Sequence, residues 1–299
     1  MGWREPKNGI AERAMFILTA LAGAIIIIIA AVLFFKALPI LTSKPTGELL
    51  FSPIWQPWGG QFGFYAFILG TLWVTALAML IAVPVSILTA VYLAEYAPAR
   101  VRGIIKPAID LLAAIPSVVY GLWGVLVVVP FIRDVIAPIA GIETTGYTIL
   151  AGGIVLAIMV FPVIISVSTE VIASVPRELR EASRALGATK WETVKYVTVR
   201  SIFPGIFAAI ILGFGRAIGE TMAVLMVVGN VAKVPSGIFD PAYPLPALIA
   251  NNYGEMMSIP MYDSALLLAA LMLLAGVVIF SAVAEITLMR FGGGMHARG

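Results

Sequence analysis

Two charged residues four positions apart, Arg216 and Glu220, interrupt a stretch of the sequence that is otherwise apolar. On a helix this spacing places both side chains on one face. A guanidinium can bind two oxygens of an oxyanion at once, and a charge inside a membrane marks by default a substrate or ion pathway. We therefore predict that Arg216, Glu220 and the adjacent Thr221 line a pathway for an anion. The alternative is a structural ion pair that locks neighbouring helices together.

The positions of the two charges predict a different task for each. Arg216 would lie about 21 Å along a helix that begins near residue 202, and Glu220 about 6 Å further. Glu220 would hold Arg216 in place and weaken its affinity for the anion, and it could accept a hydrogen bond from an oxyanion that still carries a proton. Sulfate carries no such proton near neutral pH. Gly215 and Gly219 form a small neighbouring face, at which we expect another helix to approach closely.

The elements that must hold these residues are membrane-spanning helices. The chain has 299 residues, of which 61% are hydrophobic and 12% charged, whereas a soluble domain carries about 25% charged residues. We predict an all-α polytopic membrane protein with six transmembrane helices, since a bilayer requires about 20 apolar residues per helix. Prolines inside three of the helices indicate a packed bundle, because neighbours must satisfy the freed backbone groups. The predicted ranges are 14–38, 64–92, 104–129, 149–172, 202–228 and 264–288.

The basic residues predict the orientation of these helices. Fourteen of the 19 arginines and lysines fall near the termini or in the second-to-third and fourth-to-fifth connections, and four fall on the opposite side. Because basic loops stay in the cytoplasm, both termini are predicted to be cytoplasmic. Residues 1–13 then form a cytoplasmic N-terminus, 14–289 the transmembrane domain and 290–299 a cytoplasmic tail. The segments predicted to face outward are 40–62, 131–147 and 230–262, with an interfacial aromatic belt of Trp55, Trp58, Phe62, Phe64 and Tyr65.

The connection between the fourth and fifth predicted helices, residues 174–201, has the pattern of two short helices. Gly187 fits the left-handed position that ends a first helix, and Thr189 with Glu192 has the form of a capping box that starts a second. A rigid angled element at the cytoplasmic face suits a protein partner. The alternative is an amphipathic hairpin that lies passively on the membrane surface.

Several motifs resemble those of known transport proteins. Residues 181–187, Glu-Ala-Ser-Arg-Ala-Leu-Gly, resemble the cytoplasmic loop motif of ABC-importer permeases, although Val199-Arg200 replaces the Leu-Pro that usually ends the motif. Residues 115–124, 213–224 and 240–255 resemble the phosphate importer permeases. Met222-Ala-Val with Gly229-Asn230 is similar to their C-type subunit. The resemblance covers about residues 64–288.

The resemblance implies a type I ABC-importer permease fold in the plasma (inner) membrane of a prokaryote. It implies that Glu181, Ala182, Arg184 and Gly187 couple the chain to an ATPase. The implied partners are a sister A-type permease subunit, two ATP-binding subunits, an extracytoplasmic phosphate-binding protein and membrane lipid. No nucleic acid is implied.

The sequence predicts neither catalysis nor a bound cofactor in this chain. No lysine completes a G-x-x-x-x-G-K-[ST] phosphate-binding loop, so we expect ATP hydrolysis on a separate subunit. The chain has no cysteine and one histidine, and that residue, His296, is predicted to be solvated rather than a metal ligand. Three alternatives stay open: a permease for sulfate or molybdate, a proton-coupled secondary transporter with Glu220 as proton carrier, and an intramembrane enzyme.

Overall fold

Long apolar helices account for most of this computed structural model, which describes residues 5–255 and 258–296. A short hairpin of strands β1 and β2 lies between α2 and α3, and the last turn of α3, Tyr92–Tyr96, is a π-helix. The helices before the hairpin are α1 (Glu5–Ser43) and α2 (Thr46–Phe51), and the strands are β1 (Trp55–Gln56) and β2 (Gln61–Phe62). The next helices are α3 (Tyr65–Tyr96), α4 (Ala99–Ala114), α5 (Ser117–Ile139), α6 (Ile149–Ala173), α7 (Arg177–Ala185) and α8 (Lys190–Ser201). The last are α9 (Phe203–Ile218), α10 (Met222–Val227), α11 (Leu245–Asn252) and α12 (Tyr262–His296).

Five of the described helices are long and apolar enough to cross a membrane, and a sixth span is possible if α8 and α9 count as one bent span. The five lie in α1, α3, α5, α6 and α12. Helices α8 and α9 meet at an angle of 71°. This arrangement confirms the predicted all-α membrane protein, while two of the predicted spans need correction.

The predicted third span, 104–129, is wrong because the chain breaks at Pro116. Helix α4 ends at Ala114, Ile115 is extended, and α5 begins at Ser117. A residue before proline is driven out of the helical region by the proline ring. The membrane-crossing helix is therefore α5, further along the chain than predicted, and α4 is a separate helix.

The predicted fifth span, 202–228, is also wrong as one continuous helix. Helix α9 ends at Ile218, residues 219–221 leave the helix, and α10 covers only Met222–Val227. The other boundaries agree with prediction within a few residues, except that α1 and α12 extend beyond their apolar segments. The break in the fifth span follows Arg216 and contains Glu220, the two charged residues that the sequence singled out.

Small residues allow α9 to pack closely on α6. Gly205, Ala209, Gly213 and Ala217 recur at every fourth position of α9, which places them on one face. A Cβ atom built on Gly213 would lie 2.6 Å from Cγ1 of Ile164 in α6, so only glycine fits at this contact. By contrast, a Cβ atom on Gly215 would meet nothing within 4 Å. The close approach predicted at Gly215 and Gly219 is therefore not made within the described part of this chain.

An aromatic cluster closes one end of the bundle. The ring of Trp55 in β1 lies 5.0 Å from that of Phe67 in α3 and 6.2 Å from that of Tyr262 in α12. Phe62 and Phe64 are buried in the same cluster, whereas Trp58 is 81% exposed. The predicted interfacial belt is thus wrong for Trp55, Phe62 and Phe64, which form a packed core that joins the hairpin to α1, α3 and α12.

Candidate functional site

The break after α9 is stabilised by the carboxylate of Glu220. Its Oε1 accepts hydrogen bonds from the backbone N–H groups of Thr221, at 3.2 Å, and Ala223, at 3.4 Å. These groups are among the unpaired donors at the start of α10, and a carboxylate there is favoured by the helix dipole. Glu220 therefore caps α10. The prediction that it shares a continuous helical face with Arg216 is wrong.

Arg216 lies in the last turn of α9 and is exposed on the surface of this chain. None of the ion pairs among the described residues, taken at a limit of 4.0 Å, joins Arg216 to Glu220 or to another carboxylate. A cation in this turn is favoured by the partial negative charge of the helix end. The guanidinium also lies within electrostatic range of the Tyr120 phenol, whose hydroxyl donates a hydrogen bond to the carbonyl of Leu112 at 2.8 Å. Arg216 is thus placed where its charge is available to an anion.

Glu220 borders a small, half-open cavity of about 10 Å³, where α3, α6, α9, α10 and the start of α11 meet. This volume holds about one water molecule. Thr71 and Thr75, four residues apart on α3, line the cavity and are both buried. The hydroxyl of Thr71 donates to the carbonyl of Phe67 and accepts from the N–H of Leu245 at 2.9 Å. Sequence reasoning missed these threonines, although two hydroxyls at helical spacing in an apolar span were a usable signal.

The segment 174–201 forms the predicted pair of angled helices. Gly187 has φ of +89°, in the left-handed region that glycine adopts at low cost. Thr189 accepts from the N–H of Glu192 at 3.3 Å, and the Glu192 carboxylate accepts from the N–H of Thr189 at 2.8 Å, which completes the capping box. The backbone N–H of Thr189, followed by its hydroxyl, lowers the pKa of the Glu192 carboxyl. The corner at Gly187 and the start of α8 are confirmed.

The residues predicted to couple to an ATPase sit on an accessible part of this segment. Glu181, Ala182 and Arg184 of α7 are exposed, and Gly187 follows them at the corner. Leu186, directly before the corner, is 90% exposed, which is unusual for a leucine outside a contact surface. The predicted coupling residues are therefore brought together on one projecting tip.

A buried ion pair that the sequence did not predict lies behind this tip. Nη2 of Arg180 in α7 is 2.9 Å from Oε1 of Glu95 in the π-helical turn of α3, with side-chain exposures of 16% and 6%. The contact with Glu95 is an ion pair without hydrogen-bond geometry, and the guanidinium N–H groups donate hydrogen bonds instead to the carbonyls of Ile172, at 2.8 Å, and Val175, at 3.0 Å, where α6 ends. The partners are 85 positions apart in the chain, so spacing gave no signal for this contact.

The fold and site define a class of protein: a helical membrane protein with a charged break in one span and an angled, exposed helix pair, α7 and α8, at one face. Residues 82–291 match the family described as the binding-protein-dependent transport system inner membrane component. That match covers well over half of the chain. The chain belongs to this family.

Relatives in several organisms are similar over most of the chain. The probable ABC transporter permease protein YqgH of Bacillus subtilis is 43% identical over 70% of this chain and 66% of its own length, just under two thirds. The phosphate transport system permease protein PstC of Haemophilus influenzae is 39% identical over 70% of this chain and 71% of that protein. A probable PstC of Methanocaldococcus jannaschii is 34% identical over 82% of this chain and 84% of that protein.

Solved ABC transporters share the fold at lower identity. A chain of the MetNI methionine ABC transporter superposes with a TM-score of 0.57 at 18% identity, over 74% of this chain and 93% of that one. A chain of a bacterial transporter that imports alginate gives 0.55 at 18% identity, over 96% and 98%. These structures support the predicted ABC-importer permease fold.

Proposed function

We propose that this chain is the transmembrane permease subunit of an ATP-driven phosphate importer and forms half of the translocation pathway. The observation that supports phosphate as the substrate is the 34–39% identity, over most of the chain, to proteins named phosphate transport permeases. Family membership supports import that depends on a binding protein. The sequence has no ATP-binding loop of the G-x-x-x-x-G-K-[ST] form, so the energy comes from a separate ATPase.

The proposed pathway passes the break between α9 and α10. Arg216 lies 13 residues beyond Phe203, or about 20 Å along α9, which is deep within the bilayer. Its planar guanidinium binds two phosphate oxygens. Glu220 fixes the break by capping α10. Because both backbone hydrogen bonds go to Oε1, Oε2 can accept a hydrogen bond from a protonated oxygen of phosphate. Thr221 adds a hydroxyl at the same place.

The proposed assembly contains a sister A-type permease, two ATP-binding subunits and an extracytoplasmic phosphate-binding protein in a prokaryotic inner membrane. The projecting tip with Glu181, Ala182, Arg184 and Gly187 docks on an ATP-binding subunit from the cytoplasm. Both termini are then cytoplasmic, with residues 1–13 and 290–299 on that side and 14–289 as the permease domain; residues 1–4 and 297–299 lie outside the described residues. This orientation follows from the excess of basic residues on that side.

The test is uptake of labelled phosphate by cells that lack their own phosphate importers and express this chain with its partners. Uptake should depend on ATP and should persist when the proton gradient is dissipated. A tenfold excess of sulfate or molybdate should leave it nearly unchanged. Loss of uptake on dissipating the gradient alone would point to a proton-coupled transporter, and competition by sulfate or molybdate would point to a permease for another oxyanion.

A further inference from the structure

The pair of Arg180 and Glu95 is one of the contacts that join the docking loop, formed by α7 and α8, to the membrane helices. Arg180 belongs to α7, Glu95 ends α3, and the two carbonyls that Arg180 binds, those of Ile172 and Val175, lie where α6 ends. One guanidinium therefore contacts three elements. Moving α7 against α3 or α6 would break at least one of these contacts.

The second helix of the loop, α8, contacts the same last turn of α3. Nζ of Lys190 in α8 lies 4.4 Å from the centre of the Tyr96 ring, next to Glu95 in the π-helical turn. Val194 of α8 is buried with Ala90 and Ile172 of the two membrane helices. Both docking helices thus converge on the end of α3.

The two docking helices are also linked to each other. The hydroxyls of Ser183 in α7 and Thr193 in α8 lie 3.0 Å apart and share a hydrogen bond. Because of this link and the corner at Gly187, α7 and α8 form one rigid piece. A push on the exposed tip therefore reaches the Arg180–Glu95 pair rather than being absorbed within the loop.

Helix α3 leads from this junction to the candidate pathway. Thr75 lies 20 residues before Glu95, or about 30 Å along the helix, and lines the cavity that Glu220 borders. Helix α3 contains Pro84 between these two points, but it is continuous from Tyr65 to Tyr96 and packs along α6, so that a displacement at one end can reach the other. The same element thus contacts the docking loop at one end and the helix break at the other.

We propose that Arg180, acting through Glu95, is the positioning residue that carries movement of the docking loop into α3. The pair couples ATP hydrolysis to opening of the pathway. A buried ion pair contributes little net stability compared with apolar residues of similar size. Stability alone therefore does not explain this pair, whereas transmission of loop movement to α3 does. The inference rests on the proposed function in one respect, namely that an ATPase docks on the loop.

The test uses the complete complex of both permease subunits, ATPase subunits and phosphate-binding protein in proteoliposomes. The measured quantity is the number of ATP molecules hydrolysed per labelled phosphate taken up. Glu95→Gln and Arg180→Gln should each raise this ratio about fivefold or more, as loss of a coupling free energy between two sites predicts. Glu170→Gln and Arg177→Gln, which change exposed charges close by, should leave the ratio unchanged.

Further variants separate coupling from a purely structural role. Arg180→Lys keeps the charge beside Glu95 but loses the fork that binds both carbonyls, so its ratio should lie between those of the wild type and Arg180→Gln. The double variant Glu95→Gln/Arg180→Gln should be no worse than the worse single variant, because the two residues act through each other. Should Arg180→Gln fail to assemble, Glu95→Gln and Arg180→Lys carry the test.

Three outcomes would overturn the inference. One is a loss of assembled complex in which hydrolysis and uptake fall together at an unchanged ratio, as a structural role requires. Another is a double variant in which the increase in the ratio is the product of the increases in the two single variants. The third is an unchanged ratio of ATP hydrolysed to phosphate taken up in all the variants, when the ATPase of the wild-type complex does respond to phosphate. That result would contradict this inference and leave the proposed function intact. A wild-type complex whose ATPase ignores phosphate would contradict the proposed function and this inference together.

Discussion

Arg216 and Glu220 serve different neighbours although only three residues separate them. Glu220 turns toward the backbone of α10, while Arg216 lies in the last turn of α9 and is exposed. The half-buried carboxylate of Glu220 is already compensated by the N–H groups that it caps and does not need the arginine. The positive charge of Arg216 is therefore the one that a permeating anion can compensate.

The single and double variants of Arg216 and Glu220 distinguish a role in an anion pathway from a purely structural ion pair. Arg216→Gln removes a charged hydrogen-bonding group worth about 1.5–3 kcal/mol, so phosphate uptake should fall about tenfold or more with normal amounts of protein. Glu220→Gln keeps an acceptor oxygen for the α10 cap and should retain measurable uptake with weaker selection against sulfate. The double variant should be as inactive as Arg216→Gln. Near-normal phosphate uptake in the double variant would mean that the two charges only lock the bundle.

The sequence was sufficient to identify Arg216 but not its surroundings. A lone charge in an apolar stretch is visible without a structure, because its cost in a bilayer is high. The helix break was not visible, since Gly219 tolerates a helix and the cap by Glu220 depends on how α10 packs against α5 and α6. Thr75, Tyr120 and Glu95 come from distant parts of the chain, and only the tertiary structure brings them to the two sites.

At the scale of elements, α9 is held by its small-residue face against α6. Gly213→Val should clash with Ile164 and cost about 1–3 kcal/mol by overpacking. We expect a lower unfolding temperature for the purified chain in detergent. Gly215→Val is the matched control, since it makes the same change two residues away where no atom lies within 4 Å. Equal destabilisation by both variants would contradict the proposed packing of α9.

The corner at Gly187 sets the direction of α8. Its φ of +89° strains any residue with a side chain, so Gly187→Val should cost about 1 kcal/mol or more locally. Phosphate-stimulated ATPase activity of the complex should fall while membrane insertion is retained. Ala185→Val, on the exposed side of α7, is the control for added bulk alone. A fully coupled Gly187→Val complex would show that the corner does not matter for docking.

Elements were predictable where apolar runs ended at clear signals. The capping box of Thr189 and Glu192 and the glycine corner appear where the sequence placed them, because both depend on local chemistry. The third span was displaced because both sides of Pro116 are apolar, and hydropathy alone does not choose between them. Trp55, Phe62 and Phe64 were assigned to the membrane interface because their packing against α12 depends on residues 200 positions away.

At the scale of the whole molecule, the orientation can be tested with single cysteines, since the chain has none of its own. Cysteines at Thr145 and Ser236, both exposed, should react in intact cells with a thiol reagent that cannot cross membranes. A cysteine at the exposed Ser174 should react only after the cells are permeabilised. Labelling of position 174 from outside intact cells would reverse the proposed orientation.

The central claim is that this chain couples phosphate passage to ATP hydrolysis on another subunit. The most direct measurement is ATP hydrolysis by the reconstituted complex, with and without the phosphate-binding protein and with sulfate as the matched anion. We predict that phosphate together with the binding protein stimulates hydrolysis and that sulfate does not. Hydrolysis that is indifferent to phosphate, or equally stimulated by sulfate, would contradict the account.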